Sequence, residues 1–265
     1  MTHARKSSFI GSVLLATSVA AGCENKSSQS LAPTASALEA PKPAASGSQA
    51  FQIDGASSKL DFTMDAELEK IFGRAPGALA GELFVDPKDV SKATGLVKFD
   101  LDKLSIHQRK RESADQEFGE EVKHDKQNKD MRTWFEIESD APADVREKNR
   151  WAEFRIEKVE NASTKDVTAL AGPERKLTLT VSGDFRLHQR VTKKSAKLEV
   201  TFKYDGDKLT GLQVKSQAPF GIGLEEHDVR PRSAFSKLAD KGLDALGAKV
   251  AKVAMVSLEF GAAAK

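Results

Sequence analysis

The sequence has little of what builds covalent frameworks or catalytic centres. It holds one cysteine, one tyrosine and two tryptophans among 265 residues. A single cysteine excludes an intrachain disulfide, so the fold must stand on its core. A surplus of one charge is also missing. Basic residues number 41 and acidic residues 39, and without Arg5 and Lys6 the two signs balance. That excludes the one-sided basic footprint of a nucleic-acid binder. The apolar stretch Phe9–Ala21 falls short of the roughly 20 residues a spanning helix needs. The histidines beyond the N-terminus, His107, His124, His188 and His227, show no His-x-x-x-His spacing. No Gly-x-Ser-x-Gly elbow, phosphate loop or cysteine nucleophile is present. Together these absences argue against an enzyme and against a resident cofactor or metal. Glu225-Glu226-His227-Asp228 reads as a solvated acidic loop, with weak cation binding as the alternative.

What is present begins with an export signal. His3, Arg5 and Lys6 form a basic start, Phe9–Ala21 is apolar, and small residues follow. Val19-Ala20-Ala21-Gly22-Cys23 resembles the lipobox of bacterial lipoproteins. That resemblance implies cleavage before Cys23 and acylation of it. Several acyl chains anchor a protein stably, whereas one does not. Residues 1–22 are thus expected to be a signal peptide. Glu24, not Asp, follows the cysteine, which favours an outer membrane, facing the periplasm, where the cell has one. Residues 24–50 are rich in Ser, Ala and Pro without an aromatic residue. With acylated Cys23 they read as a lipid-anchored disordered linker over 23–50, spanning roughly 30 Å as a coil.

From Phe51 the apolar residues recur with period two, the mark of strands with one buried and one wet face. The alternation predicts eight strands, over 58–65, 81–86, 95–104, 151–160, 176–188, 195–204, 208–217 and 252–260. Asp205-Gly206 supplies a hairpin turn between two of them. Eight antiparallel strands can close a barrel; a two-sheet sandwich is the alternative from pattern alone. Two stretches break the alternation. In 107–130 Ala114, Phe118 and Val122 recur every four residues, and in 232–249 Phe235, Leu238, Gly242, Ala245 and Leu246 approach helical spacing. Each predicts a peripheral helix.

The domain over 51–261 resembles the YceI-like family. Phe51-Gln52-Ile53-Asp54 and Ser58-Lys59-Leu60-Asp61-Phe62 match its opening, and Gly81-Glu82-Leu83-Phe84-Val85-Asp86 its next strand. Asp130–Ile137 with Pro142 stands where the family carries a His/Asp-Leu…Phe-Phe-Asp-Val motif. Gly183-Asp184-Phe185-Arg186-Leu187-His188-Gln189-Arg190-Val191-Thr192-Lys193 matches Gly-Asp-Leu-x-Leu-His-Gly-Val-Thr-Lys with one residue extra, and Pro219-Phe220-Gly221-Ile222 matches Asp-Phe-Gly-Ile. Inserts at 107–130 and 225–252 are longer than typical. The resemblance implies an eight-stranded antiparallel lipocalin-like barrel that holds a long apolar lipid such as a polyisoprenoid. The inward strand positions would be Leu60, Phe62, Met64, Val97, Phe99, Phe154, Ile156, Leu179, Val181, Phe185, Val200, Phe202, Leu258 and Phe260. His188, Thr192 and Lys193, at the family's His-Val-Thr-Lys position, are the candidates to meet a ligand head group, although for His188 a structural hydrogen bond in a strand-to-strand turn is the favoured reading. The apolar positions fit a packed core as well as a hollow lumen. Three functions therefore stay open: a lipid carrier, an envelope adaptor with a solid barrel, and a lipid-acting enzyme.

Overall fold

The computed structural model describes residues 30–43, 46–230 and 252–265. Among these, one antiparallel sheet of twelve strands runs in chain order as β1 (Gln49–Asp65), β2 (Glu69–Arg74), β3 (Leu79–Val85), β4 (Thr94–Asp100), β5 (Ser105–Lys110), β6 (Val122–Lys123), β7 (Trp151–Glu160), β8 (Glu174–Leu187), β9 (Arg190–Asp205), β10 (Lys208–Ser216), β11 (Phe220–Gly223) and β12 (Val253–Ala264). Two helices, α1 (Asp125–Phe135) and α2 (Ala143–Asn149), lie between β6 and β7. The order β1-β3-β4-β7-β8-β9-β10-β12 closes when β12 returns to β1, with Phe51 opposite Ala264 and Leu60 opposite Leu258. The result is an eight-stranded antiparallel barrel, so the sandwich is set aside. Each of the eight strands predicted from alternation overlaps one barrel strand.

β2, β5, β6 and β11 were not expected, and they exist because two barrel strands change partners. The first part of β1 pairs with β3, as Gln49 with Val85; its second part pairs with β2, as Asp61 with Arg74. The break lies at 55–58, where the β1–β12 register shifts. Ser58, almost fully buried, donates from Oγ to the Gly55 carbonyl at 2.7 Å and accepts from the Leu79 amide at 3.1 Å. A side chain on Gly55 would meet the Leu79 carbonyl oxygen at 2.9 Å, so the bend keeps glycine. β12 behaves likewise, pairing with β10 near its end and with β11 near its start. The barrel thus has a closed end, where the eight strands pair in full, and an open end with two seams.

The helix expected over 107–130 is not there. His107–Lys110 belongs to β5, paired with β2, and α1 starts only at Asp125. Ile106 and Gln108 are both buried, which continues a strand alternation that the flanking charges concealed. Phe118 is covered by Arg111, 4.4 Å from its centroid, and by Lys70 at 4.9 Å, rather than by a helical stripe. α1 is capped by His124 Nδ1, which accepts from the Gln127 amide at 3.1 Å, and ends on Glu136 in a left-handed conformation. The strand expected over 95–104 stops at Asp100, whose carboxylate accepts from the Asp102 amide and starts a 3-10 turn. The helix expected over 232–249 lies outside the described residues, as do residues 1–22 and Cys23.

The linker also needs correction where it is described. Residues 30–43 do not form a free coil; they lie as a strap along the outer wall. The Ala32 amide donates to the Glu226 carbonyl at 2.9 Å, Ala35 to Gln189 at 2.8 Å, and Val191 donates back to Pro33 at 2.9 Å. Further on, the Leu38 amide donates to Glu153 Oε2 at 2.8 Å and Thr94 Oγ1 to the Lys42 carbonyl at 3.1 Å. Beneath the strap sit Glu153 and Arg186, both almost fully buried. Arg186 Nη1 lies 3.5 Å from Glu153 Oε2, Lys98 Nζ lies 3.3 Å from Oε1, and Arg186 Nε donates to the Ala35 carbonyl at 3.2 Å. Composition missed the strap because its contacts are backbone hydrogen bonds, which need no apolar side chains.

Candidate functional site

The barrel interior is hollow. A cavity of about 440 Å³ occupies it, within the roughly 300–1,000 Å³ range of small-molecule sites. Its wall is almost entirely carbon, and all fourteen strand positions named from the sequence line it. Val97, Phe154, Ile156, Phe185 and Leu258 point inward yet are only partly buried. A packed core would cover them completely. Leu179, Val181, Val200, Phe202 and Phe260 are buried against neighbours while still bordering the cavity. Ala93, Ala152, Ala196 and Ala254 stand in the same wall, where their small side chains leave space unfilled.

The two seams of the open end are covered by different elements. α1 covers the first, sending Met131, Trp134 and Phe135 to the cavity wall. The segment Leu224–Val229 covers the second; Leu224 and Val229 also line the cavity. Polar atoms gather at this end. Gln127 Nε2 donates to Glu69 Oε1 at 2.7 Å, and both residues line the cavity together with Asp130. Lys194 lines it from β9 and pairs with Glu226 at 2.5 Å.

His227 holds the second cover in place. It is not part of a solvated loop, since its side chain is fully buried. Its Nδ1 lies 3.2 Å from the Leu187 carbonyl and 3.1 Å from that of Arg190, and its Nε2 lies 3.3 Å from Thr192 Oγ1. This is the pattern of a neutral ring that donates from Nδ1 and accepts at Nε2. The Phe185 ring meets it edge-on at 5.3 Å. Burial is the main cause that holds the His227 pKa down at about 4. Among the described residues no group of three or more His, Cys, Asp or Glu could hold a metal.

The three head-group candidates fall in different places, and none lines the cavity. His188 is buried in the β8–β9 turn, with Nε2 2.8 Å from Glu136 Oε2 and Nδ1 3.2 Å from the His227 carbonyl. Both turn residues, His188 and Gln189, have positive φ, as a two-residue hairpin turn demands. Thr192 faces His227. Lys193 stands on the outer face, bridging Asp184 at 2.7 Å and Glu157 at 2.5 Å. Its neighbour Lys194 is the cavity lysine. The alternation of β9 contained that signal, because Ala196, Leu198, Val200 and Phe202 share the phase of Lys194, not of Lys193. Glu69, Gln127, Asp130 and Trp134 had no such signal, since they come from elements that alternation did not predict.

A solved structure of a polyisoprenoid-binding domain from Saccharophagus degradans, implicated in plant cell wall breakdown, superposes with a TM-score of 0.50 at 16% identity, over 82% of this chain and 99% of that one. The fold shared with it is the eight-stranded antiparallel, lipocalin-like barrel. The crystal structure of BcnA from Burkholderia cenocepacia gives a TM-score of 0.43 at 12% identity, over 80% of this chain and 99% of that one. No family model and no curated protein matches the sequence.

Proposed function

We propose that the protein is an exported lipoprotein, anchored through acylated Cys23, whose barrel holds a long apolar lipid such as a polyisoprenoid. The hollow carbon-walled lumen carries this reading. An apolar cavity of this kind stays dry and accepts apolar guests. Each methylene moved into it from water contributes about 0.8 kcal/mol, so a hydrocarbon chain can bind without a specific polar contact. The lipid named for the Saccharophagus degradans domain supports the choice of ligand class. The open cavity favours a carrier over a solid adaptor. Binding is also favoured over catalysis, because the two hydroxyls of the wall have other partners: Ser195 bonds Ser182 at 3.2 Å and Thr94 bonds the Lys42 carbonyl. The anchor rests on the lipobox-like Val19–Cys23, and the envelope location, an outer membrane facing the periplasm where one exists, on Glu24.

The test is gentle purification of the mature domain, solvent extraction and mass spectrometry. An apolar lipid travelling with the protein at near-equal amount is the expected result. A domain that carries no lipid and takes up no isoprenoid or fatty chain in vitro would leave the adaptor reading in its place.

A further inference from the structure

We infer that the open end of the barrel rests against the bilayer surface, so that the cavity exchanges its lipid directly with the membrane that carries the protein. The inference builds on the acylated Cys23 of the proposed function. It begins from where the N-terminal chain meets the barrel. The strap starts at the open end, where Ala32 is hydrogen-bonded to Glu226 in the cover of the second seam and Ala35 to the β8–β9 turn. It then runs to the closed end before β1 begins. A free linker of 27 residues would let the barrel tumble in any orientation above the membrane. With the strap docked, only seven residue steps separate Cys23 from Ser30, at most about 25 Å when fully extended. The acyl chains are therefore leashed to the cavity mouth, not to the closed end.

The outer surface agrees with this orientation. Among the described residues the exposed large apolar side chains are Leu31, Val122, Val253 and Met255, at 45%, 52%, 44% and 40%, and all four belong to open-end elements. Leu31 precedes the Ala32 bond to Glu226. Val253 and Met255 stand on the first part of β12, opposite Gly223 and Gly221 of β11. Val122 extends the β2–β5 flap through β6. The other end offers the polar turn Asp205–Lys208 instead. Scattered exposed apolar residues need no explanation, but a set confined to the end where a lipid anchor enters fits shallow contact with lipid.

Cys23 is the only cysteine, so on the acylated protein a cysteine introduced elsewhere is the one free thiol. Full-length protein carrying Val253→Cys or Met255→Cys, and Asp207→Cys at the closed end as control, would be exported, spin-labelled and placed in phosphatidylethanolamine–phosphatidylglycerol vesicles. Membrane-soluble oxygen should relax the labels at 253 and 255 several-fold more, relative to a water-soluble nickel chelate, than the label at 207. Protein that sediments with the vesicles but shows the same ratio at both ends would overturn the orientation and leave the anchor standing. Dipolar broadening between labels at 255 with little oxygen contact would also overturn it, assigning the face to a second copy. Protein that does not sediment, and whose Cys23 reacts with the label, would sink the anchor and the orientation with it.

Discussion

Acidification should destabilise the protein through one side chain, His227. Its ring is fully buried and placed to be neutral, with the Leu187 and Arg190 carbonyls on Nδ1 and the Thr192 hydroxyl on Nε2. Burial, aided by Lys194, outweighs Glu226, whose carboxylate lies 3.6 Å away, and the pKa falls from 6.5 to about 4. The unfolded chain therefore takes up this proton more readily than the folded one. The stabilisation is complete above pH 6.5, declines as the pH falls towards about 4, and is lost below that. At 1.36 kcal/mol per pH unit the interval amounts to about 3 kcal/mol. Urea unfolding across about pH 7.5 to 4 would measure it against His227→Asn, which keeps an N–H near the two carbonyls but cannot charge. The variant should be less stable at neutral pH by about 1–2 kcal/mol, and its stability should change less with pH, so that the gap narrows on acidification. Asp100 and Asp184 do not confuse the comparison. Their burial is outweighed by Arg150 for the first and by Lys193 and Arg155 for the second, so both titrate below the ordinary carboxylate range in either protein. Parallel stability curves for the two proteins would refute the reasoning.

Val97→Trp, projecting into the lumen from a partly buried wall position, should lower the longest chain the barrel accepts while leaving its circular dichroism intact; displacement of a fluorescent fatty chain of graded length reads this out. Arg186→Ala leaves Glu153 under the strap with Lys98 as its one cation, and should cost about 3 kcal/mol in urea unfolding while speeding amide exchange at Leu38. Gly183→Ala would drive a methyl to 1.9 Å from the Arg155 carbonyl, so its melting temperature should fall by several degrees, for a cost of about 2 kcal/mol. Cys23→Ser should move the protein from the membrane to the soluble fraction or stall its precursor, and unchanged fractionation with normal cleavage would count against the anchor.

The barrel was legible because its strands alternate. Val97-Lys98-Phe99 and Leu198-Glu199-Val200 place one residue in and the next out, and that phase supplied the fourteen strand positions that line the cavity. Elements lacking a clean phase were not legible. β2 is six residues long, and β5 hides two buried residues among charges. The strap is tied by main-chain bonds to residues more than a hundred positions away, a pairing that no local pattern encodes. His227 looked like one member of an acidic run. Nothing within Glu225–Asp228 says that its ring is the one that turns inward, because its partners come from the β8–β9 hairpin.

The closure of β1 on β12 has a consequence for when the protein can fold. Phe51 meets Ala264 across roughly 200 residues of chain, and pairings so distant in sequence form late and slowly. Until the last strand arrives, β1 lacks its β12 neighbour. The chain can associate early as local hairpins such as β8–β9 and β9–β10, but it cannot shut. A polypeptide that cannot shut before β12 has been made keeps its barrel edges exposed until then, the state that the proposed export would need. The same ring, once shut, protects all of its barrel edges at a single step.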